Sequence, residues 1–288
     1  MPEYFAGIDI GSTMTKVAIM NGGIVSYVIG PTGPEQRRLA NEVMQKALNE
    51  ANLPFEAISY LIATGYGRVN VPFADKQITE ISCHAKGVIS IFPKVKTIID
   101  IGGQDVKGIK IGNRGKPIDF VMNDRCAAGT GRFLEVIAEA LGLNMGDMSE
   151  IAEESKNPAQ ISSICTVFAE QEIVARLAEG VPLSDLVAGI YESLADRILK
   201  IVNRLSIEKD VVITGGGAKN RNLVKILSDK LGCDILVPPE PLVTGAIGAA
   251  LLGKDMFQSA SGQQVQIKRR DLGEKLCSLS SIWGGNPD

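Results

Sequence analysis

Short runs of β-branched residues broken by glycine alternate along the chain with stretches in which apolar residues have helical spacing. Near the N-terminus, the segment FAGIDIGSTMTKVAIMNGGIVSYVI predicts a strand, a tight turn and a second strand, and its Asn21-Gly22 pair turns the chain into a third strand. Apolar positions from Pro34 to Ala51 then predict a helix, and residues 58–63 predict a buried strand. This order of elements is typical of a mixed α/β domain.

The first pattern occurs a second time, as TIIDIGGQDVKGIKIGNRGKPIDFV. The two copies align without a gap, so that Asp9 matches Asp100 and Lys16 matches Lys107. The second half continues with predicted helices over 127–141, 168–179, 183–205, 218–231 and 244–252, and short strands over 211–214 and 234–237. A repeat of this kind predicts two duplicated domains, which we expect over residues 1–92 and 93–255, followed by a polar tail over 256–288.

Composition and charge narrow the range of functions. With 288 residues, 45% of them hydrophobic and 22% charged, the chain has the composition of a folded globular protein. The net charge of −3 and the lack of a long basic cluster argue against nucleic acid as a partner. No apolar run approaches the roughly 20 residues that span a bilayer, and the first residues lack the pattern of a signal peptide. We therefore expect a cytoplasmic protein with neither a nucleic-acid nor a membrane partner.

The repeated hairpin carries the parts of a phosphate and Mg²⁺ site. A carboxylate ends a buried strand, glycines let backbone N–H groups approach an anion, and hydroxyls and a lysine follow. In the first copy, Asp9 is predicted to hold Mg²⁺ and Lys16 to add positive charge, while the donors to phosphate oxygens are Gly11, Ser12 and Thr13. The second copy offers Asp100, Gly102, Gly103, Gln104 and Asp105. One such turn is weak evidence, but two copies in register strengthen the prediction.

A third glycine cluster follows the predicted strand 211–214 and opens a helix. Backbone passes close to a ligand at such a position in an α/β fold, and the cluster suits an adenosine. It consists of Gly215, Gly216, Gly217 and Ala218. The dinucleotide motif GxGxxG is disfavoured, because Asn220 stands where its last glycine would be. We count Asn220 with this predicted nucleotide-binding set.

Five segments together resemble a known family. DIGSTMTK, DIGGQD and TGGGAKN resemble the two phosphate motifs and the adenosine motif of the acetate kinase, sugar kinase, Hsp70 and actin superfamily. NDRCAAGTGRFLE and SSICTVFAEQE resemble the activators of 2-hydroxyacyl-CoA dehydratases, the ATPase family that also contains subunits of benzoyl-CoA reductase. The resemblance runs from about Tyr4 to Gly253. It implies two duplicated ribonuclease H-like (actin-like ATPase) domains with a nucleotide cleft between them, binding ATP or ADP and Mg²⁺.

The resemblance also implies a redox function. In that family, the cysteines that correspond to Cys126 and Cys165 bind a single 4Fe-4S cluster between the subunits of a homodimer. ATP hydrolysis then drives a low-potential electron into a partner iron–sulfur enzyme, a dehydratase or reductase, and the electron donor is ferredoxin or flavodoxin. Both cysteines precede predicted helices, whose N-termini favour a thiolate. Asp9, Asp100 and Gln104 would be catalytic, with Gln104 orienting the attacking water.

Alternative interpretations stay open on the sequence. Cys126 and Cys165 can be small residues that fill gaps at helix starts. A small-molecule kinase acting on a sugar or carboxylate, or a nucleotide-switched scaffold, would use the same phosphate motifs. His84 is the only histidine, which excludes a two-histidine metal site within one chain, and we interpret Cys83 and His84 as packing or supporting residues.

Overall fold

The computed structural model describes residues 2–123, 130–161 and 165–260. Cys126 and most of the expected polar tail, with Cys277 and Trp283, therefore lie outside the described residues. The described residues form two compact units, one of residues 2–90 together with 243–260, the other within residues 91–242. No helix within the described ranges is both long and apolar enough to cross a bilayer.

The first unit contains a five-stranded mixed sheet. Its hairpins run antiparallel through β1 (Tyr4–Ile10), β2 (Met14–Asn21) and β3 (Gly23–Pro31). On the other side of β1, β4 (Ile58–Thr64) and β5 (Lys76–Gln77) run parallel to it, which gives the order β3-β2-β1-β4-β5. The central strand β1 is buried from Phe5 to Ile10, as its run of apolar residues predicts.

Among the described residues, three α-helices belong to this unit. Helix α1 (Gln36–Ala51) packs its apolar stripe on the sheet, with Val43, Met44, Ala47 and Leu48 in the core. Helices α2 (Glu80–Ile91) and α8 (Thr244–Ala260) cross at glycines, because a Cβ at Gly248 would fall on the carbonyl oxygen of Cys83. Small residues at the crossing thus let the two helix backbones meet.

The second unit repeats the sheet of the first. Strands β6 (Thr97–Ile101), β7 (Val106–Ile111) and β8 (Pro117–Met122) are antiparallel, and β9 (Val211–Thr214) and β10 (Ile235–Leu236) run parallel to β6. The order β10-β9-β6-β7-β8 is the same topology read from the other edge. The duplication seen in the sequence is therefore a duplication of the whole sheet.

One core in the second unit joins its sheet to five helices. These are α3 (Gly131–Ala140), α4 (Met145–Glu153), α5 (Thr166–Ala178), α6 (Leu183–Val202) and α7 (Arg221–Leu231). Helix α6 is the most deeply buried, and its Tyr191 lies with Phe133, Ile99 and Ile213 in the core.

Four features differ from the sequence-based expectations. The last helix, expected in the second domain, packs on β1 and β4 of the first unit, where Gly7 makes room because a Cβ there would meet the carbonyl oxygen of Ala246. This helix also extends to Ala260, beyond the expected start of the tail at Met256. Helices α2 and α4 were not predicted, and the helix expected from Ala218 begins as a short 3-10 turn over Gly216–Lys219 before α7.

Candidate functional site

The first hairpin presents its candidate residues around a tight turn between β1 and β2. The N–H of Gly11 donates to the carbonyl of Met14 at 3.0 Å and closes the turn. Asp9 and Lys16 are partners in the strand register, and Lys16 Nζ donates to Asp9 Oδ2 at 3.1 Å. Asp9 is buried, whereas Thr13 is exposed at the tip of the turn. The turn thus joins a buried carboxylate and a lysine to accessible backbone donors.

The second hairpin has the same turn with one more carboxylate. The N–H of Gly102 donates to the carbonyl of Asp105 at 2.8 Å, which matches the Gly11 to Met14 bond of the first copy. Lys107 Nζ lies 3.5 Å from Asp100 Oδ2 and 2.5 Å from Asp105 Oδ2, and all three side chains are buried. Gln104 is exposed beside them, and Gly103 is partly exposed. Of this set, Gln104 is therefore free to meet a ligand at the surface.

The predicted adenosine glycines lie against the second hairpin. Gly215 has a φ of 80°, and a Cβ there would meet Ile101 O and Asp100 Oδ1, so only glycine fits without strain. The residue before it, Thr214, donates its hydroxyl to Asp100 Oδ1 at 2.9 Å. Gly216 is exposed, while Gly217 and Ala218 are buried. The cluster and the second phosphate turn are thus one continuous backbone surface.

Sequence reasoning missed the equivalent turn in the first unit, Thr64-Gly65-Tyr66-Gly67. Gly65 has a φ of 82°, and a Cβ there would meet Asp9 Oδ1 and Ile10 O, just as at Gly215. The N–H of Gly67 donates to the carbonyl of Ile10 at 3.0 Å. The sequence does contain a signal for this turn, because the pattern Thr-Gly-x-Gly follows a buried strand in both halves of the chain.

Asn220 has a structural role in the described residues. Its Oδ1 accepts from the N–H of Leu223 at 3.0 Å and so caps α7, and its Nδ2 donates to the hydroxyl of Tyr191 at 2.8 Å. Both polar ends of the side chain are therefore occupied within the protein. A contact between Asn220 and a nucleotide stays a prediction.

A cleft of about 760 Å³ opens next to the adenosine turn, between α7 and the segment 237–241. Apolar walls come from Val224, Ile235 and the prolines of that segment. At its rim, Lys219 Nζ pairs with Glu240 at 3.1 Å. Its lining carries further charge on Arg221, Lys225, Asp229 and Asp234. A groove that combines apolar and charged side chains can receive the base and ribose of a nucleotide.

Cys165 stands immediately before α5, as the sequence indicates for this cysteine. It is the N-cap residue of the helix, in an extended backbone conformation, and it is exposed. The unpaired N–H groups of the first turn therefore lie next to the thiol. Cys126 lies outside the described residues, so the role of both cysteines as metal ligands stays a prediction. Within the described ranges, no three His, Cys, Asp or Glu side chains gather as a metal site.

The start of α3 is hydrogen-bonded to the second phosphate turn. Thr130 Oγ1 donates to the carbonyl of Gly103 at 3.0 Å, and the N–H of Gly131 donates to the carbonyl of Gly102 at 3.1 Å. Helix α3 in turn packs on α5, which Cys165 precedes. Two hydrogen bonds thus join this turn to the N-terminus of a helix that packs on α5.

Cys83 and His84 are both buried in α2. Burial raises the pKa of the Cys83 thiol to about 12, so at neutral pH it is a protonated thiol. This agrees with the interpretation of Cys83 as a packing residue. His84 Nδ1 lies 3.1 Å from Thr244 Oγ1, at the start of α8.

Comparison with known proteins gives matches over nearly the whole chain. Residues 6–253 match the model of the BadF/BadG/BcrA/BcrD ATPase family. The activator of lactoyl-CoA dehydratase from Anaerotignum propionicum is 45% identical over 262 residues, which are 88% of this chain and 99% of that protein.

Two solved structures are also similar. Component A of (R)-2-hydroxyglutaryl-CoA dehydratase from Acidaminococcus fermentans has a TM-score of 0.84 at 42% identity, over 88% of this chain and 99% of that one. The activator of 2-hydroxyisocaproyl-CoA dehydratase from Clostridium difficile, solved with bound ADPNP, has a TM-score of 0.84 at 41% identity, over 92% and 100% of the two chains. The predicted fold class, two duplicated actin-like ATPase domains, is confirmed by this similarity.

Proposed function

The chain belongs to the BadF/BadG/BcrA/BcrD ATPase family, and on that premise we propose that it uses ATP hydrolysis to drive a low-potential electron into a partner iron–sulfur enzyme. Its relatives include activators of 2-hydroxyacyl-CoA dehydratases and a subunit of benzoyl-CoA reductase, so the proposed partner is such a dehydratase or a related reductase. The observation that supports the proposal most directly is the pair of hydrogen bonds between the second phosphate turn and the start of α3, because α3 follows Cys126 in the sequence and packs on α5, which Cys165 precedes.

The nucleotide part of the proposal assigns roles within each hairpin. Lys16 and the backbone N–H groups around Ser12 bind phosphate oxygens, and Asp9 and Asp100 hold hydrated Mg²⁺. Gln104, exposed on its turn, orients the attacking water. The cleft beside Lys219 and Glu240 receives the base. A relative solved with bound ADPNP supports ATP as the ligand.

The donor set of the chain fits a cluster shared between two copies. A 4Fe-4S cluster takes about four thiolates, and each chain would supply Cys126 and Cys165, so a homodimer completes the shell. Cys165 is exposed, as a ligand at a subunit boundary must be, and the N-terminus of α5 favours its thiolate form. When bound, the cluster would supply the low-potential electron. Ferredoxin or flavodoxin is the proposed donor, and the cytoplasm the proposed compartment.

In this proposal, helix α3 couples the nucleotide site to the cysteines. Loss of the γ-phosphate changes what the Gly102–Gly103 turn holds, and the hydrogen bonds from Thr130 and Gly131 carry that change into α3. Because α3 packs on α5, the proposed response also reaches the helix that Cys165 precedes. Whether ATP or ADP is bound thereby determines the surface that the partner enzyme meets.

One experiment separates the nucleotide role from the cluster role. We expect Asp9→Ala to abolish ATP hydrolysis while anaerobically purified protein keeps about four iron per dimer and broad absorption near 400 nm. Cys165→Ala should do the reverse, losing iron while still binding ATP, and Cys233→Ala is the matched control because that cysteine is half-buried and away from a helix start. A colourless wild-type protein, or one that phosphorylates a sugar or carboxylate, would contradict the proposal.

A second experiment tests the coupling. We expect Thr130→Val to keep ATP hydrolysis and iron content but to reduce ATP-dependent reduction of the partner, because the bond to Gly103 is lost. Thr130→Ser keeps the hydroxyl and should behave as wild type. If Val and Ser variants reduce the partner equally well, α3 does not carry the coupling.

A further inference from the structure

We infer that His84 is a positioning residue for the Asp9 carboxylate, and that it keeps this carboxylate oriented toward hydrated Mg²⁺. The inference rests on the proposed role of Asp9 in ATP hydrolysis and adds the residue that orients it. His84 is the only histidine of the chain and is 5% exposed. A buried ring with two polar nitrogens needs polar neighbours, so the atoms that surround it indicate its role.

The ring of His84 stands between a hydroxyl and the carboxylate of the first hairpin. Its Nδ1 lies 3.1 Å from Thr244 Oγ1. Gly245 lies next to both His84 Nε2 and Asp9 Oδ2. A Cβ added at Gly245 would be 3.1 Å from each of these two atoms. The ring nitrogen and the carboxylate oxygen therefore border the same small space. That space stays open because residue 245 is glycine.

The chemistry of the pair follows from the tautomer. When the Thr244 hydroxyl donates to Nδ1, the neutral ring carries its proton on Nε2, which then donates toward Asp9 Oδ2, directly or across one water. Lys16 also donates to this oxygen, at 3.1 Å. Once Lys16 turns to a phosphate, His84 is the donor that stays. Asp9 Oδ2 is then held in place, and Oδ1 is left to accept from the water on Mg²⁺.

The second unit orients its own carboxylate in a different way. Thr214 is the register partner of Asp100, and its hydroxyl donates to Asp100 Oδ1 at 2.9 Å. Thr64 is the register partner of Asp9, but its Oγ1 does not donate to the carboxylate and instead lies against the Cys83 thiol. The first unit thus lacks the strand hydroxyl that supports Asp100. His84, from a helix, provides a donor in its place.

Two amide variants of His84 distinguish positioning from simple packing. The amide of glutamine reaches the place of Nε2, and that of asparagine reaches the place of Nδ1, next to Thr244. The readout is the Mg²⁺ concentration that gives half the maximal ATPase rate of the full chain, together with kcat. We expect His84→Ala and His84→Asn to raise that concentration or lower kcat by roughly 10–100-fold, the usual effect of losing a group that orients a metal-binding carboxylate. His84→Gln should stay near wild type.

Two glycine variants test the space between His84 Nε2 and Asp9 Oδ2 without changing the histidine. Gly245→Ala places a methyl group between His84 Nε2 and Asp9 Oδ2. Gly253→Ala is the matched control, because it adds the same methyl group to α8 with a similar contact, 3.3 Å from Tyr60 Cδ1. We expect the Mg²⁺ dependence to shift for Gly245→Ala and to match wild type for Gly253→Ala. Thermal unfolding of all five variants shows which of them are folded.

The outcomes separate this inference from the proposed function. If Asp9→Ala hydrolyses ATP at the wild-type rate, the proposed function fails whatever the His84 variants do. If Asp9→Ala is inactive and His84→Asn is as active as His84→Gln, or more so, the histidine only packs and the inference is overturned. An unchanged Mg²⁺ dependence in folded Gly245→Ala overturns it as well.

Discussion

The two phosphate hairpins share one backbone but differ in their buried charges. In both, a glycine N–H closes the turn on the same carbonyl position, and an aspartate faces a lysine across the strands. The first hairpin has Met14 where the second has Asp105, so one lysine meets one carboxylate in the first and two in the second. Duplication has kept the geometry, while the side chains have diverged within it.

This difference predicts different roles for the two lysines. The Lys16 side chain is 13% exposed and has one carboxylate partner, so it can turn to a phosphate and leave Asp9 to a cation. Lys107, at 5% exposure, neutralises Asp100 and Asp105 together and is held between them. We therefore expect Lys16 to act in binding and Lys107 to act mainly in folding. Four predictions test this comparison, in order of decreasing effect.

The largest effect is expected from removing the lysines. Lys107→Met leaves two buried carboxylates without a counter-ion and should lower the free energy of unfolding by about 3–5 kcal/mol. Lys16→Met leaves one and should cost less stability, yet lose ATP hydrolysis. Urea unfolding without nucleotide and an ATPase assay measure both. Equal losses of stability would remove the proposed division between the hairpins.

The second effect concerns the threonines that face the two aspartates. Thr214→Val removes a hydrogen bond to a buried carboxylate and should cost about 1.5–3 kcal/mol of unfolding free energy. Thr64→Val removes a buried hydroxyl that does not bond Asp9 and whose neighbour is the Cys83 thiol, a weak hydrogen-bonding group, so stability should fall less than in Thr214→Val. The same urea titrations compare the two valine variants. A similar loss in both would show that Thr64 also supports its aspartate.

The third effect should be equal in the two repeats. Gly65→Ala and Gly215→Ala each place a methyl group against an aspartate, at a φ near 80° that alanine rarely adopts. Each should lower the unfolding free energy by about 1–3 kcal/mol and reduce ATPase activity. Gly22→Ala is the control, since its φ is also positive but nothing lies within 4 Å of the added carbon. Its loss of stability measures the backbone strain alone.

The smallest effect is a difference in reactivity between the cysteines of the two units. Cys83 is buried and its thiol pKa is raised to about 12, so at pH 8 only about one molecule in ten thousand carries the thiolate. Iodoacetamide should therefore label exposed Cys165 of the iron-free protein and leave Cys83 unlabelled until the chain is unfolded. Mass spectrometry of peptides reads out both sites. Rapid labelling of Cys83 in the folded chain would show that α2 opens.

Much of the fold and of the candidate site could be predicted from local sequence. Strands broken by glycine, the helix that follows Cys165 and the hairpin repeat that matches Asp9 with Asp100 are all predicted from sequence patterns, and the structure contains these elements. The helix predicted from Ala127 begins at Gly131 among the described residues. Helix α2 escaped prediction, because both faces of it are largely apolar or small and no clear stripe marks it. The turn at Gly65 escaped because its partner Gly215 lies far along the chain and the spacing differs from that of the hairpins.

The sequence by itself determined the duplicated hairpins and the position of each chemical group at the end of a strand, because turns and strand periodicity depend on neighbours in the chain. Only the tertiary structure decided that α8 returns to the first sheet and that His84 and Asp9 share the space at Gly245. These contacts join residues far apart in sequence, and they depend on close packing at glycines. Local propensity does not show which distant part of the backbone will pack against a glycine, because close packing of this kind arises only when the chain folds.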